Sequence, residues 1–335
     1  MPRRPRRPTP AEALLQAFGR LTPRSQGIVL VTLLAVGLIV AGMWLYERHR
    51  QEQQASTWPP TVRQPIPEPP GTPPPSVVLK APLSVQLTLG NPSGATAEAS
   101  NRNNYLLIKP YFALSYNDAK GGPNWVSWRV TPQDVGDAPR KQTFDPDVAL
   151  PPGYHRIQHR DYTGSGFDRG HMCPKGDRDA TPQSSNATFV MSNIIPQAPQ
   201  VNQKAWARLE DLTRRMVERG NHAYVISGQV GQGGTGLNGP ATTIANGRVN
   251  VPAECWKVIV FTPGGEASDD LSEINAKTRV VCVLMPNRQD VSEDWKAYRC
   301  TAAEIETKTG YRFFDTLPTD VAQALRTQRD TGATP

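Results

Sequence analysis

Short apolar runs recur along the chain from residue 104 onward, each of a length suited to strands. They are NYLLIKPYFALSYN (104–117), WVSWRV (125–130), ATFVMSNIIP (187–196), AYVISGQV (223–230), CWKVIVFT (255–262) and TRVVCVLMP (278–286). All are rich in β-branched and aromatic residues, which fit a pleated, half-buried surface. One segment carries a helical period instead. QKAWARLEDLTRRMVER (203–219) places Trp206, Leu209, Thr213, Met216 and Val217 on one stripe, with Gly220 at its end. Two shorter helices are expected near 301–309 and 319–328. Long polar connections separate the strands, which predicts an α+β fold on a central antiparallel or mixed sheet rather than a regular βαβ array.

Upstream of this domain the pattern changes twice. Gly27 to Tyr46 is 20 residues without a charge, roughly 30 Å as a helix and enough to cross a bilayer core. A removable signal peptide is the rival, but its apolar stretch would be shorter and a small-residue cleavage site would follow. Here ERHRQEQQ follows, which predicts a retained transmembrane anchor. Residues 47–76 then read as a linker, with nine prolines between Pro59 and Pro75, extended and semi-rigid. The expected organisation is a basic tail (1–26), an anchor (27–46), a Pro-rich linker (47–76) and one globular domain (77–330).

Net charge has to be located before it is interpreted. The chain carries +7, of which residues 1–26 hold +5 and residues 27–50 hold +1, leaving +1 for residues 51–335. Bulk charge therefore gives no support to a nucleic-acid partner, and any basic patch on the domain must be local. Six arginines precede the apolar span, which predicts a cytoplasmic N-terminus and a domain on the periplasmic or extracytoplasmic side of the inner membrane. The Arg-rich start also allows an organellar address, hence a mitochondrial membrane.

Four cysteines, Cys173, Cys255, Cys282 and Cys300, lack Cys-x-x-Cys spacing, which argues against a zinc cluster. In an oxidising compartment one disulfide among the last three is expected, with the pairing open.

The candidate chemistry lies in DYTGSGFDRGHM (161–172). Arg169 and His171 are two apart, so on a strand they project to one face, and Gly170 between them admits a close neighbour. A neutral imidazole can take a proton from water while a guanidinium offsets charge on phosphate oxygens. The alternative is a charged turn organised by Asp168. About thirty residues on, Asn202 precedes the periodic helix, either as an ordinary N-cap or as a carboxamide oxygen for a hard cation such as Mg²⁺. Glu210 lies eight residues beyond, too far to share the inner coordination shell but able to reach a metal-bound water. Glu210 and Arg214 also form an i,i+4 pair that could simply support the helix. His155 and His159, four apart in GYHRIQHRDY, could share a helix face as metal ligands, but the Pro-Pro-Gly before them and the Asp-Tyr-Thr-Gly after them argue for a loop.

Together, DYTGSGFDRGHMCPKGDR and SNIIPQAPQVNQKAWARLE resemble the signature of the DNA/RNA non-specific endonucleases, the ββα-metal nucleases typified by Serratia nuclease and mitochondrial endonuclease G. The likeness runs over roughly residues 85–320. The resemblance implies a ββα-metal fold and a Mg²⁺-dependent enzyme, with Mn²⁺ as a substitute, that cuts DNA and RNA to 5′-phosphate and 3′-hydroxyl ends. It makes His171 the general base, Asn202 the direct metal ligand and Glu210 a holder of metal-bound water. Arg169 supports the phosphate or the site, Arg140 and Arg214 bind substrate, and Asp168 organises the loop. Cys173 stands where the family pattern has a small residue, an expected point of sensitivity to thiol reagents. A catalytically silent nucleic-acid-binding module of a DNA-uptake system, or another metal-dependent phosphodiesterase, is the alternative; the sequence does not set the oligomeric state.

Overall fold

The computed structural model describes Thr22, residues 83–264 and residues 273–333. The chain divides into two units, Met1–Pro74 and Pro75–Pro335. The basic tail (Thr22 apart), the apolar span 27–46 and the Pro-rich linker lie outside the described residues. Among the described residues no helix is long and apolar enough to cross a membrane.

The strands, in chain order, are β1 (Tyr105–Ile108), β2 (Ala113–Asn117), β3 (Gly122–Val130), β4 (Asp168–His171), β5 (Ile194–Gln197), β6 (Asn221–Val230), β7 (Gly234–Gly236), β8 (Gly239–Ala241), β9 (Thr243–Ile244), β10 (Val249–Asn250), β11 (Glu254–Pro263), β12 (Arg279–Pro286) and β13 (Arg299–Cys300). The α-helices are α1 (Pro182–Ala187), α2 (Ala207–Glu218), α3 (Ala302–Thr309) and α4 (Thr319–Thr327). Seven strands form one sheet in the order β1-β2-β3-β6-β11-β12-β13. Its pairings are all antiparallel. The architecture is thus α+β with a large antiparallel sheet.

Alternation along the long central strands sorts side chains onto two faces. On β11, Cys255, Ile259 and Phe261 join a core that also holds Trp206, Leu209, Leu212 and Val217 of the periodic helix. Trp256, Val258 and Val260 join the opposite core, with Ile305 of α3 and Leu325 of α4. Each face is therefore covered by helix, which is why strands of an antiparallel sheet read here as nearly continuous apolar runs. Lys257 shares the face of Cys255 and Ile259, and its side chain is only 2% exposed.

Three expectations are adjusted. Residues 104–117 form a hairpin rather than one strand, because Pro110 has no donor for a ladder and Lys109 N–H closes the turn onto Phe112 O at 2.9 Å. In 187–196 only the end is strand, since Ser192 and Asn193 spend their side chains on Asp147 and on the carbonyls of Cys173 and Thr188. On the helix stripe Leu212 is buried and Met216 lies at the edge.

The expected disulfide is absent: all four cysteines are free and buried. Cys255 faces one core while Cys282 and Cys300 face the other, where they stand opposite each other across β12 and β13.

Candidate active site

A two-stranded ribbon beside the main sheet delivers the motif. β4 pairs antiparallel with β5, with Asp168 opposite Gln197 and His171 opposite Ile194. Gly170 is needed because the Gln197 side chain crosses it: a Cβ there would lie 2.0 Å from Gln197 Oε1. The close neighbour that this glycine admits is therefore a side chain of the paired strand. The chain then enters a π-helical turn, Val201–Trp206, that runs directly into α2. π-Turns leave a local widening that is frequent at functional sites.

His171 is 8% exposed. Its ring packs against Phe144 at 5.2 Å and edge-on to Phe189 at 4.9 Å between centroids. Nε2 is buried and has no hydrogen-bond partner among the described residues. Burial first, then the Arg140 guanidinium, lower its pKa from 6.5 to about 3. The imidazole is therefore neutral in the free protein. Arg140 itself stacks over the Phe189 ring at 5.1 Å.

Asn202 is not an N-cap. It lies inside the π-turn, its own N–H bonded to Ala198 O at 3.0 Å, and the residue before the turn is Gln200. Its Nδ2 donates to Asp168 Oδ2 at 2.8 Å, and Gln203 Nε2 donates to the same oxygen at 2.8 Å. The amide is thereby oriented, and its carbonyl oxygen accepts no hydrogen bond among the described residues. Asp168 thus acts across 34 residues of sequence.

Glu210 sits on the first turn of α2 with a side chain 14% exposed. Lys257 Nζ approaches its Oε1 at 3.4 Å and also lies 4.3 Å over the Trp206 ring. Burial pushes the Glu210 carboxyl up, while Lys257 and then Arg214 pull it back. The helix-support pair of Glu210 with Arg214 does not form. Arg214 instead bonds Asp177 Oδ1 at 3.2 Å and pairs with Asp211. A local i,i+4 preference of a few tenths of a kcal/mol yields here to a buried carboxylate delivered by the fold.

Arg169 spends Nε and one Nη on His159 O, at 3.1 and 2.7 Å, and touches Thr163 Oγ1 at 3.2 Å. It therefore braces the 159–163 segment while keeping an edge on the site. His155 is exposed beside Asp118, and His159 begins a 3₁₀ turn, so the two do not form a helical metal pair.

His171, Arg169, Arg140, Asn202, Glu210 and Arg214 line one cavity of about 540 Å³. Asp168 stands behind Asn202 rather than on the wall. Lys175, Asp179 and Glu218 also line it and were not foreseen. Lys175 and Asp179, paired at 2.7 Å, lie just downstream of the motif in CPKGDRD. Lys257 gave no sequence signal beyond one charge inside an apolar strand.

No group of three or more His, Cys, Asp or Glu able to hold a metal occurs among the described residues. A hard cation that keeps its waters does not need one. An oriented carboxamide oxygen and a nearby buried carboxylate are donors of the right chemistry for Mg²⁺ and the wrong chemistry for a thiolate-loving metal. Cys173, two residues past His171, is fully buried and its thiol is pushed far up by burial. The expectation of easy reaction with thiol reagents is not supported.

This geometry has relatives. A sequence profile described as DNA/RNA non-specific endonuclease matches residues 90–320. The chain is 39% identical to a nuclease of Nostoc sp. over 77% of its own length and 90% of the relative's. It is 27% identical to the nuclease of Serratia marcescens, over 72% of this chain and 84% of that one. The crystal structure of the EndoG/EndoGI complex superposes with a TM-score of 0.57 at 25% identity, covering 71% of this chain and 95% of that one. A shared profile over most of the domain, a relative matched almost end to end and a common fold lead to one assignment: the chain belongs to the DNA/RNA non-specific endonuclease family.

Proposed function

We propose that this protein is a Mg²⁺-dependent, sugar-non-specific endonuclease with a ββα-metal site, hydrolysing phosphodiester bonds of DNA and RNA to 5′-phosphate and 3′-hydroxyl ends. The observation that carries the proposal is convergence: His171 from β4, Asn202 from the π-turn and Glu210 from α2 share one cavity with Arg140, Arg169 and Arg214. Asn202 is suited to hold Mg²⁺ directly and Glu210 to hold it through water, with Mn²⁺ as a substitute. When bound, the cation supplies charge neutralisation at the scissile phosphate and the leaving 3′-oxygen.

The chain's own groups supply the rest. His171 receives the proton of the attacking water. In the free protein its low basicity makes it a weak acceptor, but a phosphodiester anion beside it opposes Arg140 and favours the imidazolium. Arg140, Arg169 and Arg214 offer N–H groups to phosphate oxygens. Contacts of this type carry no base information, which accounts for lack of sequence preference.

The proposed setting is a single-pass anchor at residues 27–46 that holds the domain on the outer side of the cytoplasmic membrane. The motive is a 20-residue uncharged span preceded by six arginines. Digestion of plasmid DNA and of RNA in Mg²⁺, abolished by chelator, with radiolabelled end-group analysis, tests the activity. Products carrying 3′-phosphates, or undiminished cleavage in excess chelator, would sink it.

A further inference from the structure

Arg214 is held from one side by a residue that contributes nothing to the cavity wall. Asp177 is 1% exposed, at the end of the 3₁₀ turn Lys175–Asp177. Its Oδ2 accepts from Trp128 Nε1 at 3.0 Å, and its Oδ1 accepts from Arg214 Nη1 at 3.2 Å. Trp128 belongs to β3 and is itself 1% exposed. The preceding Gly176 completes the cradle: a Cβ there would lie 2.8 Å from Arg214 Nη1 and 3.1 Å from Cζ. Asp211 takes the other Nη, but its carboxylate is 53% exposed.

We propose that Asp177 is the positioning residue of Arg214, tying its guanidinium to the central sheet through Trp128 so that its remaining N–H groups meet substrate phosphate. The assignment rests on the nuclease function proposed above. A side chain as long as arginine loses much rotamer freedom on binding, and fixing it beforehand removes that cost. The exposed Asp211 pair, screened by water, adds little to this.

The sign of the effect separates positioning from plain electrostatics. Asp177→Asn removes a negative charge beside a polyanion site, which by charge alone would tighten DNA binding. It also turns an amide donor, or a neutral oxygen, toward the guanidinium, which by positioning weakens binding.

The test is fluorescence-anisotropy titration of a short DNA duplex with the full chain, in chelator so that no cleavage occurs, at one fixed salt concentration. Asp177→Asn and Gly176→Ala are expected to raise Kd on the order of 10-fold to 100-fold, the scale of a small misplacement. Arg214→Ala should do the same, Asp177→Asn/Arg214→Ala should be no worse than Arg214→Ala alone, and Asp211→Asn should stay within about twofold. Tighter or unchanged binding by Asp177→Asn, or a multiplicative double variant, overturns the assignment. If Asp177→Asn does not fold, Gly176→Ala decides, and unchanged binding there overturns it equally. Wild-type protein that binds no DNA under these conditions overturns the assignment, while the nuclease function stands or falls separately on the cleavage assay in Mg²⁺. Wild-type binding that neither variant weakens sinks the assignment alone.

Discussion

Asp168 Oδ2 accepts the Nδ2–H of Asn202 at 2.8 Å, and this bond decides which end of the Asn202 amide faces the cavity. Without it the amide is free to flip and present nitrogen, a group that cannot ligate Mg²⁺. Asp168→Ala is therefore predicted to raise the Mg²⁺ concentration for half-maximal activity about 10-fold to 100-fold, the usual cost of losing a partner behind a metal ligand. A metal titration of cleavage rate checks it. An unchanged midpoint would show that Asn202 is held by other means.

The depressed basicity of His171 makes three pH predictions. In the unfolded chain it titrates near 6.5 and in the folded protein near 3. Between those values the unfolded state binds more protons, so this residue's contribution to stability is complete above pH 6.5 and is lost as pH falls toward 3. His171→Ala should flatten that part of the stability profile measured by denaturant titration. Substrate phosphate opposes Arg140 and burial, so the acid limb of kcat should lie at higher pH than that of kcat/KM. Arg140→Ala, which removes the second cause of the depression, should move the kcat/KM limb upward.

Lys257 and Glu210 form an ion pair in which both side chains are largely withdrawn from water. Lys257→Met leaves the carboxylate without its first counter-charge and should cost about 3–5 kcal/mol, as for one broken partner of a buried pair. Thermal unfolding measures this. Adding Glu210→Leu should recover much of the stability while leaving the protein inactive, since the double variant removes both buried charges and also the proposed water-holding acid.

Cys173 follows His171 by two residues, yet its thiol is buried in the core and strongly disfavours the thiolate. Native protein should keep full activity in excess maleimide, and a colorimetric thiol titration should find no fast-reacting cysteine. Four thiols should appear after unfolding in denaturant without reductant. Rapid inactivation of the native protein would contradict the burial.

Much of the site was legible because its residues sit in two compact segments. The helical period at 203–219 placed Glu210 relative to Asn202, and the spacing of Arg169 and His171 showed that they would share a face if the segment were a strand, which it is. Relations between distant segments were not legible. Asp168 reaches Asn202 across 34 residues, Trp128 reaches Asp177 across 49 and Lys257 reaches Glu210 across 47. A helix cap stayed one of two readings of Asn202 because the π-turn that contains it has no local signature. The alternative that paired Arg214 with Glu210 arose because helix spacing is visible in sequence, whereas the buried Asp177 carboxylate arriving from another loop is not. The net charge pointed to a local patch rather than to the bulk, and the cavity gathers Arg140, Arg169 and Arg214 on a domain that is nearly neutral.

The central claim is that His171, Asn202 and Glu210 form a working metal-dependent nuclease site. Its most direct test compares the cleavage of supercoiled plasmid DNA in Mg²⁺ by wild type and His171→Ala, after confirming equal folding by circular dichroism. Wild type should nick and degrade the plasmid, and the variant should be slower by about 10²–10⁴-fold, the range contributed by a positioned general base. Equal rates for the two proteins would contradict the assignment of His171 and with it the mechanism.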